Sequence, residues 1–88
     1  MIDAPWYVYI LECSDSTYYI GITNNMSKRL DKHNNGTGAK YTRGRRPVVL
    51  RRTFKVESRS KALRLEILLK KRNRKQKSLI IEGGLENV

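Results

Sequence analysis

The sequence contains one cysteine, Cys13, among its 88 residues. A single cysteine excludes an intramolecular disulfide framework and any zinc site built from several thiolates. The N-terminus, Met1 to Pro5, has no basic segment followed by an apolar one, and no apolar run approaches the roughly 18 residues of a membrane helix. We therefore expect a cytoplasmic protein that does not enter a membrane, with Cys13 packed in its core.

The chain has too few residues for a second domain. With 88 residues, of which 39% are hydrophobic, it supports a single domain over residues 1–88 with one modest core. Such a core has no room for a buried dinucleotide. The five tyrosines, together with regularly placed aliphatic residues, exclude a disordered tail.

Acidic residues are scarce where basic residues are dense. All 19 Lys and Arg lie between Lys28 and Lys77, with only three acidic residues among them, so this segment carries a charge of +16. Such segregation attracts polyanions, and nucleic acid is the commonest polyanion in a cell. A membrane-surface role fits less well, because no helix combines this charge with a broad apolar face bearing Trp or Phe. We expect nucleic acid as the partner.

Aromatic and β-branched runs predict strands, and apolar periodicity between capping residues predicts helices. The predicted order is β-β-α-β-α-α: strands over 6–13, 17–23 and 47–54, and helices from Asn24 or Asn25 to Gly36, from Ser58 or Ser60 to about Arg72, and from Arg74 to Ile81. The stretch 34–46, rich in glycine and basic residues, is predicted as a loop.

The first two strands are predicted to form a hairpin whose register decides where two tyrosines point. A three-residue loop pairs Tyr9 with Gly21 and Leu11 with Tyr19. Tyr9 and Tyr19 then share one face of the sheet, with space above Gly21. A two-residue loop would place the tyrosines on opposite faces.

Two helices carry candidate polar site residues. Arg29 and His33 are four residues apart and lie on one face of the first helix. In the long helix, Glu66 falls within the apolar arc, where a carboxylate must be paired, protonated or bound to a cation. An ion pair of Glu66 with Lys70 or with an arginine from the sheet is the non-catalytic alternative. The corresponding alternative for the tyrosines is ordinary strand packing.

The order of these residues resembles the GIY-YIG nuclease family. Val8-Tyr9-Ile10 occupies the place of the first motif, and Tyr19-Ile20-Gly21 matches the second letter for letter. The family's first glycine does not appear before the tyrosine. Tyr7-Val8-Tyr9 stands there instead, a variant of the short stand-alone branch, which the stretch 38–47 also resembles. Ser78 stands where some members carry an asparagine.

The resemblance implies an α+β fold, with a small three-stranded antiparallel sheet flanked by two to three helices. It also implies an endonuclease that hydrolyses phosphodiester bonds in DNA, one strand at a time, with one Mg²⁺ or Mn²⁺ ion. Carried over by position, the catalytic residues are Tyr9, Tyr19, Arg29 and His33, and the metal ligand is Glu66. We favour Tyr19 as the base and Tyr9 as its partner, and the reverse assignment stays open.

The basic stretch after the first helix is the predicted nucleic-acid-binding segment. Its charges suit the DNA backbone and its tyrosine suits stacking; the residues are Lys40, Tyr41, Arg43, Arg45 and Arg46. Two alternatives to a self-sufficient nuclease stay open. One is a catalytically silent nucleic-acid-binding module, and the other is a catalytic core that needs a protein partner for target recognition.

Overall fold

The computed structural model describes residues 5–88, apart from the side chain of Asn87. The expectation that Met1 to Pro5 form no signal peptide falls mostly on residues 1–4, which lie outside this range. The predicted fold class is confirmed, because the protein is α+β with a three-stranded antiparallel sheet and four α-helices. Within residues 5–88, no helix has both the length and the apolar character needed to cross a membrane.

The predicted hairpin is present in the three-residue register. Strand β1 spans Trp6–Glu12 and strand β2 spans Tyr18–Thr23. Tyr9 pairs with Gly21 and Leu11 pairs with Tyr19. The two tyrosines therefore lie on the same face of the sheet.

Strand β3 spans Val49–Val56 and pairs antiparallel with β1, which is the central strand. The prediction that this strand covers 47–54 is wrong by two residues at each end. Asn34 accounts for the late start: its side chain accepts a hydrogen bond from Val48 N at 2.8 Å and donates one to Val48 O at 3.1 Å. These bonds hold the backbone of Val48 against the first helix, so pairing with β1 begins at Val49.

Four helices follow the hairpin or flank β3. They are α1, Met26–Asn35; α2, Lys40–Arg43; α3, Arg59–Lys70; and α4, Arg74–Gly83, which leads into a 3₁₀ turn over Gly84–Asn87. The side chains of Asn25, Ser58 and Asn73 cap α1, α3 and α4 by accepting the backbone N–H three residues later. Helix α1 ends at Gly36, whose φ of 86° suits glycine.

Two helix ends differ from the prediction. Helix α3 ends at Lys70 and not at Arg72, because Asn73 adopts an extended conformation (φ −76°, ψ 174°) to cap the next helix. Helix α4 continues two residues beyond Ile81, to Gly83.

The single-turn helix α2 lies inside the stretch predicted as an uninterrupted loop. It has only four residues, Lys40–Arg43, and a single turn shows no apolar periodicity that a sequence pattern could reveal. Thr42, fully buried, is the residue that attaches this turn to α1.

The sheet has an apolar cluster on each face, because successive residues of β1 point to opposite sides. Val8 and Ile10 pack with residues of α3 and α4. Tyr9 and Leu11 pack on the other face, with Cys13 and with residues of α1. All four β1 side chains are fully buried, and Cys13 is buried as expected. The two tyrosines therefore face α1.

Candidate active site

The hairpin and α1 bring two tyrosines and a histidine together. The ring centroids of Tyr9 and Tyr19 lie 6.4 Å apart. The His33 ring stands edge-on to both, with its centroid 5.7 Å from that of Tyr9 and 5.3 Å from that of Tyr19. We call Tyr9, Tyr19 and His33 the aromatic cluster.

The hydroxyl of Tyr9 is held between His33 and Arg29. It lies 2.9 Å from Nε2 of His33, and Nε of Arg29 donates to it over 3.2 Å. Tyr9 is fully buried, and this burial raises the pKa of its phenol, although the Arg29 guanidinium acts in the opposite direction. The same contact raises the pKa of Arg29. At neutral pH the pair is therefore a neutral phenol and a guanidinium cation.

His33 makes hydrogen bonds through both ring nitrogens. While Nε2 faces Tyr9, Nδ1 lies 2.8 Å from Oγ1 of Thr42. Burial, followed by the charge of Arg29, lowers the pKa of His33 from 6.5 to about 4, so the imidazole is neutral at neutral pH. Thr42 was not among the predicted site residues, because nothing in the basic stretch 38–47 distinguishes a buried threonine from an exposed one.

Glu66, on α3, faces inward as its place in the apolar arc predicts. Its side chain is 16% exposed, and its carboxylate lies 3.5 Å from Nζ of Lys70. The Lys70 side chain is 54% exposed, so its ammonium group stays accessible to water. Burial is the main reason that the pKa of Tyr9 is raised, and the charge of Glu66 makes a minor contribution in the same direction.

The ligands available for a metal ion are few. Within residues 5–88, no three His, Cys, Asp or Glu side chains are grouped so that they could hold one. A lone, largely buried carboxylate does not suit zinc, which takes three or four protein ligands. It does suit Mg²⁺, which keeps several waters and takes other oxygens from a bound phosphate. Among the predicted site residues, Glu66 is therefore the one that could hold a divalent ion.

The predicted nucleic-acid-binding residues begin at the edge of the aromatic cluster. The Tyr41 ring is stacked on Tyr19, with centroids 5.9 Å apart and planes 26° apart. The Arg45 guanidinium lies 3.9 Å from the centre of the Tyr41 ring, and its Nε donates to Asp15 over 2.9 Å. Tyr41 and Arg45 thus connect Tyr19 to the β1–β2 turn.

The remaining three predicted nucleic-acid-binding residues differ in how far they are engaged within the protein. Arg46 donates to the backbone oxygens of Arg43 and Asn34, at 2.8 and 3.4 Å. The side chains of Lys40 and Arg43 are exposed, and among the described residues neither forms a hydrogen bond or an ion pair. Lys40 and Arg43 therefore present their charge to solvent.

A basic cleft, which the sequence prediction missed, opens at the start of α1. Its volume is about 180 Å³, and it is lined by Thr23, Asn24, Asn25, Lys28, Arg29 and Lys32. Half of these residues are cationic and none is acidic. Because Arg29 also contacts Tyr9, the cleft adjoins the aromatic cluster. The spacing of Lys28 and Lys32, four residues apart around Arg29, is the signal that could have identified it.

The same part of the chain matches a known protein family. Residues 5–78 match the family model described as the GIY-YIG catalytic domain. The chain belongs to the GIY-YIG family. The match includes the aromatic cluster, Arg29 and Glu66. Membership gives the protein a nuclease-type fold and nucleic acid as its class of substrate, and GIY-YIG nucleases generally use a divalent metal ion.

Similar proteins occur in both archaea and bacteria. This GIY-YIG chain is 50% identical to UPF0213 protein VNG_2274C of Halobacterium salinarum over 74 residues, which are 84% of this chain and 96% of that protein. It is 46% identical to UPF0213 protein SAG0778 of Streptococcus agalactiae over 82 residues, 93% of each chain.

Two solution NMR structures share the fold. The UPF0213 protein BH0048 of Bacillus halodurans is 42% identical with a TM-score of 0.58, and the match covers 94% of this chain and 92% of that one. The protein EF2693 of E. faecalis is 43% identical with a TM-score of 0.63, and the match covers 91% and 85% of the two chains.

Proposed function

We propose that this protein is a divalent-metal-dependent endonuclease that hydrolyses phosphodiester bonds in DNA, one strand at a time. The observation that carries the proposal is the arrangement around Tyr9. A guanidinium donates to its hydroxyl over 3.2 Å, and the largely buried carboxylate of Glu66 acts electrostatically on the same phenol. A candidate phosphate-binding cation therefore contacts the Tyr9 phenol, and the charge of a candidate metal-binding anion acts on the same phenol.

Arg29 is the proposed ligand of the scissile phosphate. Its Nε is occupied by Tyr9, which fixes the side chain, and its terminal nitrogens are suited to gripping two phosphate oxygens. Lys28 and Lys32 line the same cleft. We propose that they bind the neighbouring phosphates of the strand.

Glu66 is the proposed ligand for Mg²⁺ or Mn²⁺. When bound, the ion supplies positive charge that stabilises the transition state at the phosphorus. Lys70, at 3.5 Å, leaves the carboxylate oxygens largely available for this purpose.

Tyr19 is the proposed general base. Tyr9 is fully buried and its pKa is raised, so it keeps its proton. Tyr19 is only partly buried, and its ring is fixed by Tyr41 and His33. As its phenolate, Tyr19 takes a proton from the attacking water. The water oxygen bonds to phosphorus, and the departing oxygen takes a proton from solvent.

Supercoiled plasmid incubated with Mg²⁺, with Mn²⁺ or with EDTA tests this proposal. We expect nicked circles with either ion and none with EDTA. Tyr19→Phe should reduce the nicking rate by about 100-fold or more, as loss of a general base does. The matched control is Tyr18→Phe. This neighbouring tyrosine packs against the apolar cluster on the other face of the sheet, and its hydroxyl forms a hydrogen bond with Oγ of Ser78 at 3.0 Å.

Two results would contradict the proposal. One is steeply salt-dependent DNA binding with no nicked product under any divalent ion, which is the behaviour of a silent binding module. The other is an equal loss of nicking in Tyr18→Phe and Tyr19→Phe.

A further inference from the structure

Thr42 takes part in two hydrogen bonds that have no role in the proposed chemistry, of which the one to His33 is buried. Its Oγ1 lies 2.8 Å from Nδ1 of His33 and 3.0 Å from the backbone oxygen of Ala39. Thr42, His33 and Tyr9 are all fully buried, so water cannot substitute for any partner. The hydrogens of this group are therefore shared among these three side chains, the Ala39 oxygen and Arg29.

The direction of each hydrogen bond follows from the number of hydrogens. The Tyr9 oxygen accepts from Arg29, so the hydrogen of this neutral phenol is directed at Nε2 of His33. The Ala39 oxygen can only accept, and it takes the hydroxyl hydrogen of Thr42 as well as the backbone N–H of Thr42 at 3.1 Å. The oxygen of Thr42 must then accept from His33, which places the imidazole hydrogen on Nδ1. A neutral imidazole has one N–H, so Nε2 is left as an acceptor and receives the hydroxyl hydrogen of Tyr9 at 2.9 Å.

The last hydrogen bond in this series joins Tyr9 to the guanidinium of Arg29. With its hydrogen directed at His33, the Tyr9 oxygen accepts from Nε of Arg29 at 3.2 Å. The donors therefore run in one direction, from Arg29 to Tyr9, His33, Thr42 and finally Ala39.

We propose that Thr42 is a positioning residue that sets His33 as the Nδ1–H tautomer and thereby orients the Tyr9 hydroxyl and Arg29. This tautomer determines the role of each tyrosine. The opposite tautomer would direct Nε2–H at Tyr9, whose oxygen would then have two donors and be favoured as a phenolate. With Nδ1–H, Tyr9 stays a neutral donor, and Tyr19 is left as the base. The tautomer stands independently of cleavage, whereas its consequence for the base rests on the proposed function.

The chain offers a direct test, because His33 is its only histidine. Two-dimensional ¹H–¹⁵N correlation of protein labelled at the imidazole nitrogens reports which nitrogen bears the hydrogen. At pH 7 we expect a pyrrole-type shift at Nδ1 and a pyridine-type shift at Nε2. The reverse pattern in the native protein would overturn the proposal, whatever the plasmid assay shows.

Three variants separate Thr42 from its neighbours. Thr42→Val removes the acceptor, so we expect loss of the pure Nδ1–H pattern, while Thr42→Ser should restore it. Tyr9→Phe removes the partner of Nε2 but should keep the Nδ1–H tautomer. Retention of the native pattern in a folded Thr42→Val protein, or its loss in Tyr9→Phe, would show that Thr42 does not set the tautomer. If Thr42→Val does not fold, the native, Thr42→Ser and Tyr9→Phe spectra still decide the question.

Discussion

The side chain of Tyr9 occupies the space above Gly21. A Cβ atom added to Gly21 would lie 2.4 Å from the phenol oxygen and 2.6 Å from Cζ of Tyr9. Gly21 does not have a positive φ, so the requirement for glycine comes from this contact and not from backbone conformation. Gly21 of the second motif therefore leaves the space that the buried phenol of Tyr9, from the first motif, occupies.

Replacement of Gly21 by alanine should displace Tyr9 and destabilise the protein. Overpacking of this kind lowers the free energy of unfolding by about 1–3 kcal/mol. Urea unfolding measures this loss. Gly44→Ala is the control, because a Cβ atom there meets no atom within 4 Å. Equal stability of the two variants would contradict the packing described here.

His33 should make stability depend on pH. Its pKa is lowered from 6.5 to about 4 in the folded state, so the unfolded chain binds a proton at higher pH than the folded chain does. The free energy of unfolding should therefore fall as the pH drops from about 7.5 to 5, with His33 contributing about 2 kcal/mol of that fall.

The comparison of the native protein with His33→Gln isolates this effect, because the carboxylates titrate in both proteins. Urea unfolding at pH 7.5 and at pH 5 should show a smaller decrease in the variant. In the native protein, the ring resonances of the only histidine should titrate near pH 4. A midpoint near 6.5 would show that His33 is not held neutral.

The basic cleft should contribute to DNA affinity through charge. Lys28 and Lys32 line it beside Arg29, and each phosphate contact contributes about 0.9 to the slope of log K against log salt. The double variant Lys28→Gln/Lys32→Gln should reduce that slope by up to about 2. Fluorescence anisotropy with a labelled duplex at several salt concentrations measures it.

A variant of equal charge controls for the loss of net charge. Lys71→Gln/Lys75→Gln removes two exposed lysines at the start of the segment between α3 and α4 and in the first turn of α4. Its slope should stay closer to that of the native protein. Equal slopes for the two double variants would show that the cleft has no special part in binding.

Arg43 and Arg45 should behave differently although they lie only two positions apart in the basic stretch. Arg45 stacks on Tyr41 and forms an ion pair with Asp15. The side chains of Arg45 and Asp15 are both partly exposed, so these contacts are weak. Arg45→Gln should therefore lower the unfolding free energy by about 1 kcal/mol. Arg43→Gln should leave stability unchanged and weaken DNA binding. The reverse pattern in urea unfolding would refute this division of roles.

The parts of the fold that were predictable depend on local chemistry. Strand alternation with a three-residue loop predicts the observed pairing of Tyr9 with Gly21, which puts Tyr9 and Tyr19 on one face, whereas a two-residue loop would separate them. The caps at Asn25 and Ser58 are formed by hydrogen bonds to residues three positions later. Such short-range bonds leave a signature in the sequence.

The parts that were not predictable depend on contacts between distant residues. Thr42 is buried because it meets His33, nine positions earlier. Strand β3 starts late because Asn34 binds Val48, 14 positions away. In α3, Ile67 and Leu68 are apolar yet 55% and 37% exposed. Hydrophobicity alone therefore indicated a wider buried face than this helix has.

Glu66 is the residue proposed to make nicking metal-dependent. The direct measurement is the rate of Mn²⁺-dependent plasmid nicking by Glu66→Gln and by Glu57→Gln, with DNA affinity measured in parallel. Glu57 is the control, because it is 82% exposed and pairs only with Lys61 among the described residues. We predict that Glu66→Gln binds DNA within about twofold of the native protein and loses nicking by about 100-fold or more, while Glu57→Gln cuts at the native rate. Native nicking by Glu66→Gln, or an equal loss in both variants, would contradict the account.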